Sequence, residues 1–459
     1  MSLVETPFKL TLKEILCSAA ATLCLIKLTK IGAPEQSIAD LCFTPQYGFT
    51  ASASIEACGP RFVRISDIRE GAINWNEVPF CDCPNSSGFE LKSDDILIAR
   101  AGASIGKSFL VMNVPETAVF ASYMIRLRTK PDIAPSYIYW CCQSQQFWQQ
   151  ITEAQRGSAM KNINGKMLSS LRFPIPSREM QDAVADFLSS FRAQVRRREP
   201  GHPLPSLPSL LHEEQQLIAR IEELAGRIEE ARGLRREAVE EAENLLGAEL
   251  DKVFAVIIGR FAITVIGQAG GFITSGPRGW GNYYNEDGDR RLIRVENVLD
   301  RELDLSTAAK VAVPTDEGDI ERSQVEVGDV LVTITGAIGR VGVVSNFDMP
   351  CHVSQHVGLI RVPKQIFPYY LYWYLRSPTF GRSQTEGKTY GATKPGINLK
   401  NLRMLQVATP PFEYQQAIVS YFDKLEAKVD ALKQLQSETS AELDALLPSI
   451  LDKAFKGEL

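Results

Sequence analysis

The sequence has no stretch of eighteen uninterrupted apolar residues, which is the length that a membrane-spanning helix requires. Its longest apolar run, residues 15–26, is broken by Ser18 and Thr22 and flanked by Lys13 and Lys27. The run is too short to span a bilayer, and it lacks a signal-peptide cleavage pattern. We interpret it as a buried helix and expect a cytoplasmic protein.

No Cys-x-x-Cys pair occurs among the nine cysteines, and the chain has only four histidines. An odd number of scattered cysteines is typical of reduced thiols rather than of a disulfide framework. His352 and His356 are four residues apart, but they stand in a strand-like stretch. We interpret them as unrelated surface or groove positions and expect no metal site.

Recognisable catalytic motifs are also missing, including HExxH, GxSxG and the Asn/Asp-Pro-Pro-aromatic motif of methyltransferases. A glycine loop at residues 102–108 is similar to a phosphate-binding loop, but it has three residues instead of four between its glycines. A second copy at Gly336 lacks the Lys-Ser pair. We interpret both loops as tight turns between strands and expect a non-catalytic chain.

The sequence does contain an internal repeat. Several short blocks of similar sequence recur in the same order about 234 residues later. Among them, residues 63–68 match 293–298, 95–107 match 329–340, 135–140 match 368–373, and 179–181 match 413–415. Each copy combines short β-branched strands, glycine turns and a helix. We therefore predict two similar modules of the α/β (α+β) class.

A second repeat follows a different offset, because residues 215–254 align with residues 416–455, 201 residues later. Apolar residues recur there at alternating steps of four and three, the heptad pattern of paired helices, and forty residues give helices of roughly 60 Å. The best seam positions are Leu217, Ile221, Leu224, Ile228, Phe422, Leu425, Val429 and Leu432. Arg235 and Gln436 interrupt the seam at the same place.

Two packings fit these stripes. Each helix could simply pack on its own module, but a strict 3.5-residue period favours pairing of the two helices with each other. Because the first helix leads into the second module and the second helix leaves it, we predict an antiparallel coiled coil with a pseudo-two-fold relation. The expected segments are 1–177 (first module with an extra N-terminal helix), 178–255 (short helix, Pro-rich spacer and long helix), 256–411 (second module) and 412–459 (C-terminal helix).

Charge is partitioned along the chain. The net charge is −5, yet each module segment carries +2, and the acidic excess lies in the helical segments. The basic stretches 154–172 and 376–403 recur in both modules around glycine loops, as phosphate contact requires. Aromatic and polar residues on glycine turns near 47–50 and 275–280 could reach base edges. The candidate DNA-binding residues are Tyr47, Thr50, Arg156, Lys161, Asn162, Lys166, Arg278, Trp280, Lys388, Tyr390, Lys394 and Lys400.

Five segments resemble the specificity subunit of type I restriction-modification enzymes. They are the turns at 95–107 and 329–340, the run 391–398, the helix start at 410–416 and the closing residues 446–459. The resemblance covers nearly the whole chain. It implies two target recognition domains that read the halves of a bipartite DNA site. The helices would act as a ruler between the half-sites and as the dock for two methyltransferase subunits.

The resemblance also implies that restriction subunits join the phage-defence complex, and that the chain itself holds no cofactor. S-adenosylmethionine, ATP and Mg belong to the partner subunits. Two rivals remain: a DNA-binding adaptor of another defence system without a restriction partner, and an enzyme whose active site has no recognisable motif. The two modules differ most at residues 47–62 and 275–290, as expected if they read different half-sites.

Overall fold

The structure is a computed structural model that describes residues 10–69, 71–155, 162–197, 204–299, 302–313, 318–386 and 396–459. The chain divides into two compact units, of which unit 1 comprises Met1–Arg232 and Ala441–Leu459 and unit 2 comprises Gly233–Ser440. Each unit therefore contains one module together with part of both long helices, and the unit boundaries fall inside these helices.

Unit 1 contains a four-stranded antiparallel sheet in the order β2-β9-β6-β7, the parallel pair β3–β8, and the antiparallel pairs β1–β10 and β4–β5. Its elements are α1 Leu12–Lys30, β1 Glu35–Ser37, α2 Ile38–Leu41, β2 Gln46–Tyr47, β3 Arg61–Val63, β4 Ile68–Arg69, β5 Ala72–Ile73, β6 Ile96–Ala99, β7 Ser108–Leu110, β8 Ala118–Phe120, β9 Met124–Leu127, α3 Pro135–Gln143, α4 Gln145–Gln155, α5 Gly165–Ser170, β10 Arg172–Pro174 and α6 Arg178–Arg197.

Unit 2 repeats this arrangement, with an antiparallel sheet in the order β12-β18-β15-β16, a sheet β14-β13-β17 whose β13–β17 pair is parallel, and the pair β11–β19. The elements from the first long helix onward are α7 His212–Arg260, β11 Ile263–Val265, β12 Phe272–Ser275, β13 Arg290–Ile293, β14 Ala309–Val311, α8 Gly318–Glu321, β15 Val330–Thr333, β16 Val341–Val343, β17 Cys351–Val353, β18 Val357–Arg361, α9 Pro368–Arg376, α10 Ser383–Glu386, α11 Leu399–Arg403, β19 Gln406–Ala408 and α12 Phe412–Lys456.

Strands β6 and β15 are almost entirely apolar because each of them is buried on both faces. In β6, Ile96 and Ile98 belong to the core shared with the helices, whereas Leu97 belongs to a second core on the opposite face of the sheet. Residues of β15 alternate between two cores in the same way. A continuous run of β-branched and aliphatic residues is what such a strand requires.

The same side-chain hydrogen bonds recur in both modules. Gln181 accepts from the backbone N–H of Ala134 at 3.0 Å, and Gln415 accepts from that of Phe367 at 2.7 Å. The Tyr137 hydroxyl donates to a β10 carbonyl, and the Tyr370 hydroxyl donates to a β19 carbonyl. The predicted repeat of a mixed helix-and-strand module is thereby confirmed.

The apolar run near the N-terminus forms helix α1, which is buried in the core of unit 1. Thr22 Oγ1 on this helix accepts from the backbone N–H of Gln145 at the start of α4, at 2.9 Å. In unit 2, Asp251 on α7 accepts at 2.9 Å from the backbone N–H of Thr379, at the equivalent turn. Helix α1 is therefore part of module one, where it occupies the position that the end of α7 occupies in module two.

Helix α6 likewise corresponds to the first half of α12. The indole N–H of Trp140 donates to Ser189 on α6 at 3.1 Å, and that of Trp373 donates to Asp423 on α12 at the same distance. In unit 1, residues of α1, α6, the first part of α7 and the last part of α12 all belong to one core. Module one thus has its own pair of helices, α1 and α6, which packs on the long helices.

The long helices pair antiparallel within unit 2. Along α7, Arg235 donates to the carbonyl of Thr439, Glu243 pairs with Lys433, and Glu249 accepts from the hydroxyl of Tyr421, so the residue numbers of α12 fall as those of α7 rise. None of the helices within the described residues is long and apolar enough to cross a membrane.

The predicted seam residues are not equally buried. Ile221, Ile228, Phe422 and Val429 are buried, and Leu217 and Leu425 are partly buried against the cores. Leu224 and Leu432 are of intermediate exposure, and the buried neighbours on α7 are instead Ile218 and Ala225. The buried arc of α7 is displaced because it also meets α1 and α6, through Lys27–Glu213 and Gln194–Glu222 contacts.

Candidate nucleic-acid interface

Three strand ends meet at one edge of the main sheet of module one. Tyr47 is the last residue of β2, Arg100 follows β6, and Tyr123 precedes β9. Since β9 lies between β2 and β6 and runs antiparallel to both, these three residues lie side by side. The guanidinium of Arg100 lies over the Tyr47 ring, 4.8 Å from its centroid, and Tyr123 is 68 % exposed. The edge thus presents two aromatic side chains and a cation.

The structure joins this edge to the basic stretch of module one. The backbone N–H of Gly165, at the start of α5, donates to the Tyr47 hydroxyl at 2.9 Å. Lys166 follows and is exposed, as is Asn162. Two segments that the sequence marked separately as candidate DNA surfaces therefore form one surface, to which the exposed Thr50 also belongs by its place after β2.

Module two has the same arrangement with different side chains. Gly276 follows β12, Thr335 lies just beyond β15, and His356 precedes β18. Thr335 Oγ1 and His356 Nδ1 are 2.6 Å apart, and Gln355 Nε2 lies 3.0 Å from His356 Nε2. This edge therefore presents hydroxyl, amide and imidazole groups where module one presents aromatic rings and Arg100.

The basic stretch of module two also approaches its edge. Helix α11 carries the exposed Lys400 and packs against β12. Arg403, the last residue of α11, donates from Nη2 to the carbonyl of Ile273 at 3.1 Å. Lys400 is thereby held close to the strand that leads into the 276–289 loop.

A glycine begins each recognition segment because no side chain fits there. A Cβ atom at Gly48 would lie 2.2 Å from the carbonyl oxygen of Ala121, and one at Gly276 would lie 1.8 Å from that of Val353. Non-bonded atoms cannot approach each other this closely. The chain after β2 or β12 can therefore pass the neighbouring strand only if the residue there is glycine. The same device fixes the start of the most divergent loop in both copies.

Two predicted residues of the 276–289 loop have different environments. Arg278 is exposed, as base or phosphate contact requires, whereas Trp280 is only 6 % exposed. Its ring packs near Tyr283 and His352. Trp280 therefore supports the loop from beneath and does not present its ring on the surface.

Five predicted contacts, Arg156, Lys161, Lys388, Tyr390 and Lys394, lie outside the described residues. Four residues of the edges were missed by sequence reasoning: Arg100, Tyr123, Thr335 and His356. They are single residues next to strand ends, and only the pairing of those strands could have marked them. Arg100 Nε is buried and has no hydrogen-bond partner among the described residues, so its guanidinium retains donor capacity.

The described part of the chain was also compared with two kinds of reactive site, metal centres and activated nucleophiles. No group of three metal-ligating side chains occurs there. Burial raises the pKa of the Cys24 and Cys42 thiols to about 12, which keeps them protonated and unreactive. Ser323 lies 3.2 Å from His352, but its side chain is fully buried and donates to the carbonyl of Ile320.

Comparison with known proteins fits this picture of two similar, cation-bearing modules. The family described as the type I restriction modification DNA specificity domain matches residues 81–200 and 284–440. The chain belongs to this family. The first match covers part of module one and α6, the second covers most of module two and part of α12, and the resemblance inferred from the sequence is confirmed.

Individual relatives are more distant. The EcoBI type I restriction enzyme specificity subunit of Escherichia coli is 28 % identical over 65 % of this chain, and the match spans 61 % of that relative's length. The StySPI specificity subunit of Salmonella potsdam is 22 % identical over 86 % of this chain and 82 % of its own. One chain of a solved type I R-M system structure is 21 % identical to this chain, with a TM-score of 0.57. The match covers 93 % of this chain and 98 % of that one, and it supports the fold described above.

Proposed function

We propose that the chain is the sequence-specific DNA-binding specificity subunit of a type I restriction-modification complex, and that each module reads one half of a bipartite DNA site. The observation that carries the proposal is the duplicated strand-end surface. Both modules bring the same three strand ends, a glycine-initiated loop and an exposed lysine to one edge of a sheet. The side chains on this edge differ between the modules, which suits two different half-sites.

The polar side chains at the strand ends suit two kinds of DNA contact, one with phosphates and one with bases. Exposed lysines beside the edge, Lys166 and Lys400, would contact phosphates and set the position of each module. Donors and acceptors at the strand ends, such as Arg100 and the Thr335–His356 pair, would face base edges in the major groove. The net positive charge of the modules and the negative charge of the helical segments concentrate this attraction on the modules.

The chain would have no active site of its own. Its relatives are named as specificity subunits, and methyl transfer and cleavage would belong to two methyltransferase subunits and to restriction subunits that bind beside it. S-adenosylmethionine, ATP and Mg would then be held by those partners. The long helices α7 and α12 would dock the methyltransferase subunits and set the gap between the half-sites.

Co-expression with the cognate methyltransferase subunit tests this function. We expect the two proteins to co-purify and the complex to methylate a single bipartite, asymmetric sequence, which genome-wide methylation mapping would reveal in cells with and without the gene. A complex that forms but methylates no bipartite site would refute the proposal. Binding of DNA without any methyltransferase partner would instead support an adaptor function.

The salt dependence of DNA binding tests the lysines. In the complex with methyltransferase, Lys166→Ala and Lys400→Ala should each weaken binding to all sequences alike and lower the slope of log affinity against log salt by about one, since each removes a phosphate contact. Lys424→Ala is the matched control, because this exposed lysine lies on α12 away from the edges. Fluorescence anisotropy at several salt concentrations measures the slopes, and equal slopes for all variants would contradict the assignment.

A further inference from the structure

One histidine lies directly beneath the divergent loop of module two. His352 is the middle residue of β17, is fully buried, and pairs in register with Leu292 of β13. Its ring centroid lies 5.8 Å from that of Trp280, and its Nε2 atom lies 3.3 Å from Nη1 of Arg290. Trp280 lies within the 276–290 segment, and Arg290 is its last residue. His352 therefore contacts this segment at two points.

The hydrogen bonds define the role of each ring nitrogen. The Nδ1 atom lies 3.2 Å from the carbonyl oxygen of Ile320, which can only accept, so Nδ1 carries the proton. Nε2 is then the acceptor for the Arg290 guanidinium, which can only donate. Burial lowers the pKa of His352 to about 4, and the adjacent Arg290 acts in the same direction. The ring is therefore neutral and keeps its acceptor at physiological pH.

Trp280 supports the loop from beneath. Its ring is only 6 % exposed and lies near His352, and its indole Nε1–H is covered by protein and has no hydrogen-bond partner among the described residues. The guanidinium of Arg290 belongs to a residue of intermediate exposure, so it is the group held by His352 that can reach an acceptor outside the chain.

We propose that His352 is a positioning residue for DNA reading by module two: it holds the Arg290 guanidinium and supports the loop through Trp280, so that the guanidinium can donate to acceptors of one half-site. This inference rests on the proposed function. Val119 occupies the equivalent position of β8 in module one, as the parallel pairings of β3–β8 and β13–β17 show. The device therefore belongs to module two, and its loss should affect one half-site alone.

Two substitutions of His352 test the proposal in the complex with methyltransferase, with methylation mapping as the readout. His352→Leu removes the acceptor and should lower base discrimination at the half-site of module two at least about fivefold, the lower range for one lost base contact. His352→Gln can still accept from Arg290 and should restore most of the discrimination. The half-site of module one, identified beforehand as the one altered by Tyr47→Ala, should not change.

Controls separate positioning from folding. Val343→Ala shortens a buried side chain in β16 and should lower thermal stability without changing discrimination at either half-site. If His352→Leu does not fold, Arg290→Gln removes the guanidinium that His352 holds and should produce the same one-sided loss. Equal losses at both half-sites, or unchanged discrimination in these variants, would overturn the inference, whereas a wild-type complex that methylates nothing would refute the proposed function itself.

Discussion

Lengthening both long helices by one heptad should increase the gap between the two half-sites by about three base pairs. Seven residues inserted after Arg235 in α7 and seven after Glu438 in α12 add about 10 Å to each helix and leave Arg235 and Thr439 on the same side of the inserts. Consecutive base pairs are about 3.4 Å apart, which gives the expected change. The half-site sequences themselves should stay the same, and methylation mapping of the variant complex would show both results.

The structure shows why the insertion must be made in both helices. Arg235 donates to the carbonyl of Thr439 on the opposite helix at 2.7 Å, and the side-chain oxygen of Gln436 is buried without a partner among the described residues. The Arg235–Thr439 hydrogen bond holds the two helices in one register at this point, as polar groups do in coiled coils. Four residues inserted near Arg235 in α7 alone would add about 6 Å but would also rotate its seam away from α12.

A seven-residue insertion in the Pro-rich segment 204–208 is the matched control. This segment precedes α7, so the insertion leaves both long helices unchanged, and the gap should remain that of the wild type. An unchanged gap in the double-heptad variant, with both half-sites still methylated, would show that these helices are not the ruler. Loss of methylation in that variant but not in the control would also argue against the ruler, provided that the variant has a normal thermal unfolding curve.

Most of the fold was predictable because the internal repeat is visible in the sequence itself. Strands such as β15 were found by their β-branched runs, and the long helices by their heptads. Helix α1 could not be assigned a role, because it has no counterpart in the 234-residue repeat. Its counterpart is the end of α7, and the shared contact is made by the hydroxyl of Thr22 in one copy and by the carboxylate of Asp251 in the other. Only an oxygen acceptor is common to both.

The candidate interface was less predictable than the fold. Glycine loops and basic stretches marked the right segments, but their joining by the Gly165–Tyr47 hydrogen bond depends on tertiary structure. The strand-end residues differ between the copies, since Arg100 corresponds to Ile334 and Tyr123 to His356, so the repeat could not reveal them. Trp280 was interpreted as a surface aromatic because a glycine-rich turn surrounds it, yet its ring is large enough to reach the core beneath the loop.

A second large effect is expected on the outer face of α7 in unit 2, where three apolar residues follow one another at intervals of eleven. Leu234, Leu245 and Val256 are 60–63 % exposed, and eleven residues are close to three helical turns, so they form one stripe. The half-exposed Tyr421 borders the stripe, since its hydroxyl donates to Glu249 at 3.0 Å. Regularly spaced exposed apolar residues on a helix are typical of a protein-binding face, and we propose that a methyltransferase subunit docks there.

Leu245→Glu combined with Val256→Glu should reduce the methyltransferase that co-purifies by at least about tenfold, because two buried carboxylates in an interface without cations cost more than 1.4 kcal/mol. Stability of the chain alone should change little, since both side chains are already largely exposed. Ser420→Glu with Ala427→Glu adds the same charges to an exposed face of α12 and should leave co-purification intact. If both double variants bind the methyltransferase equally well, the subunit docks elsewhere, because two charges placed in the stripe could not be accommodated in a close apolar contact.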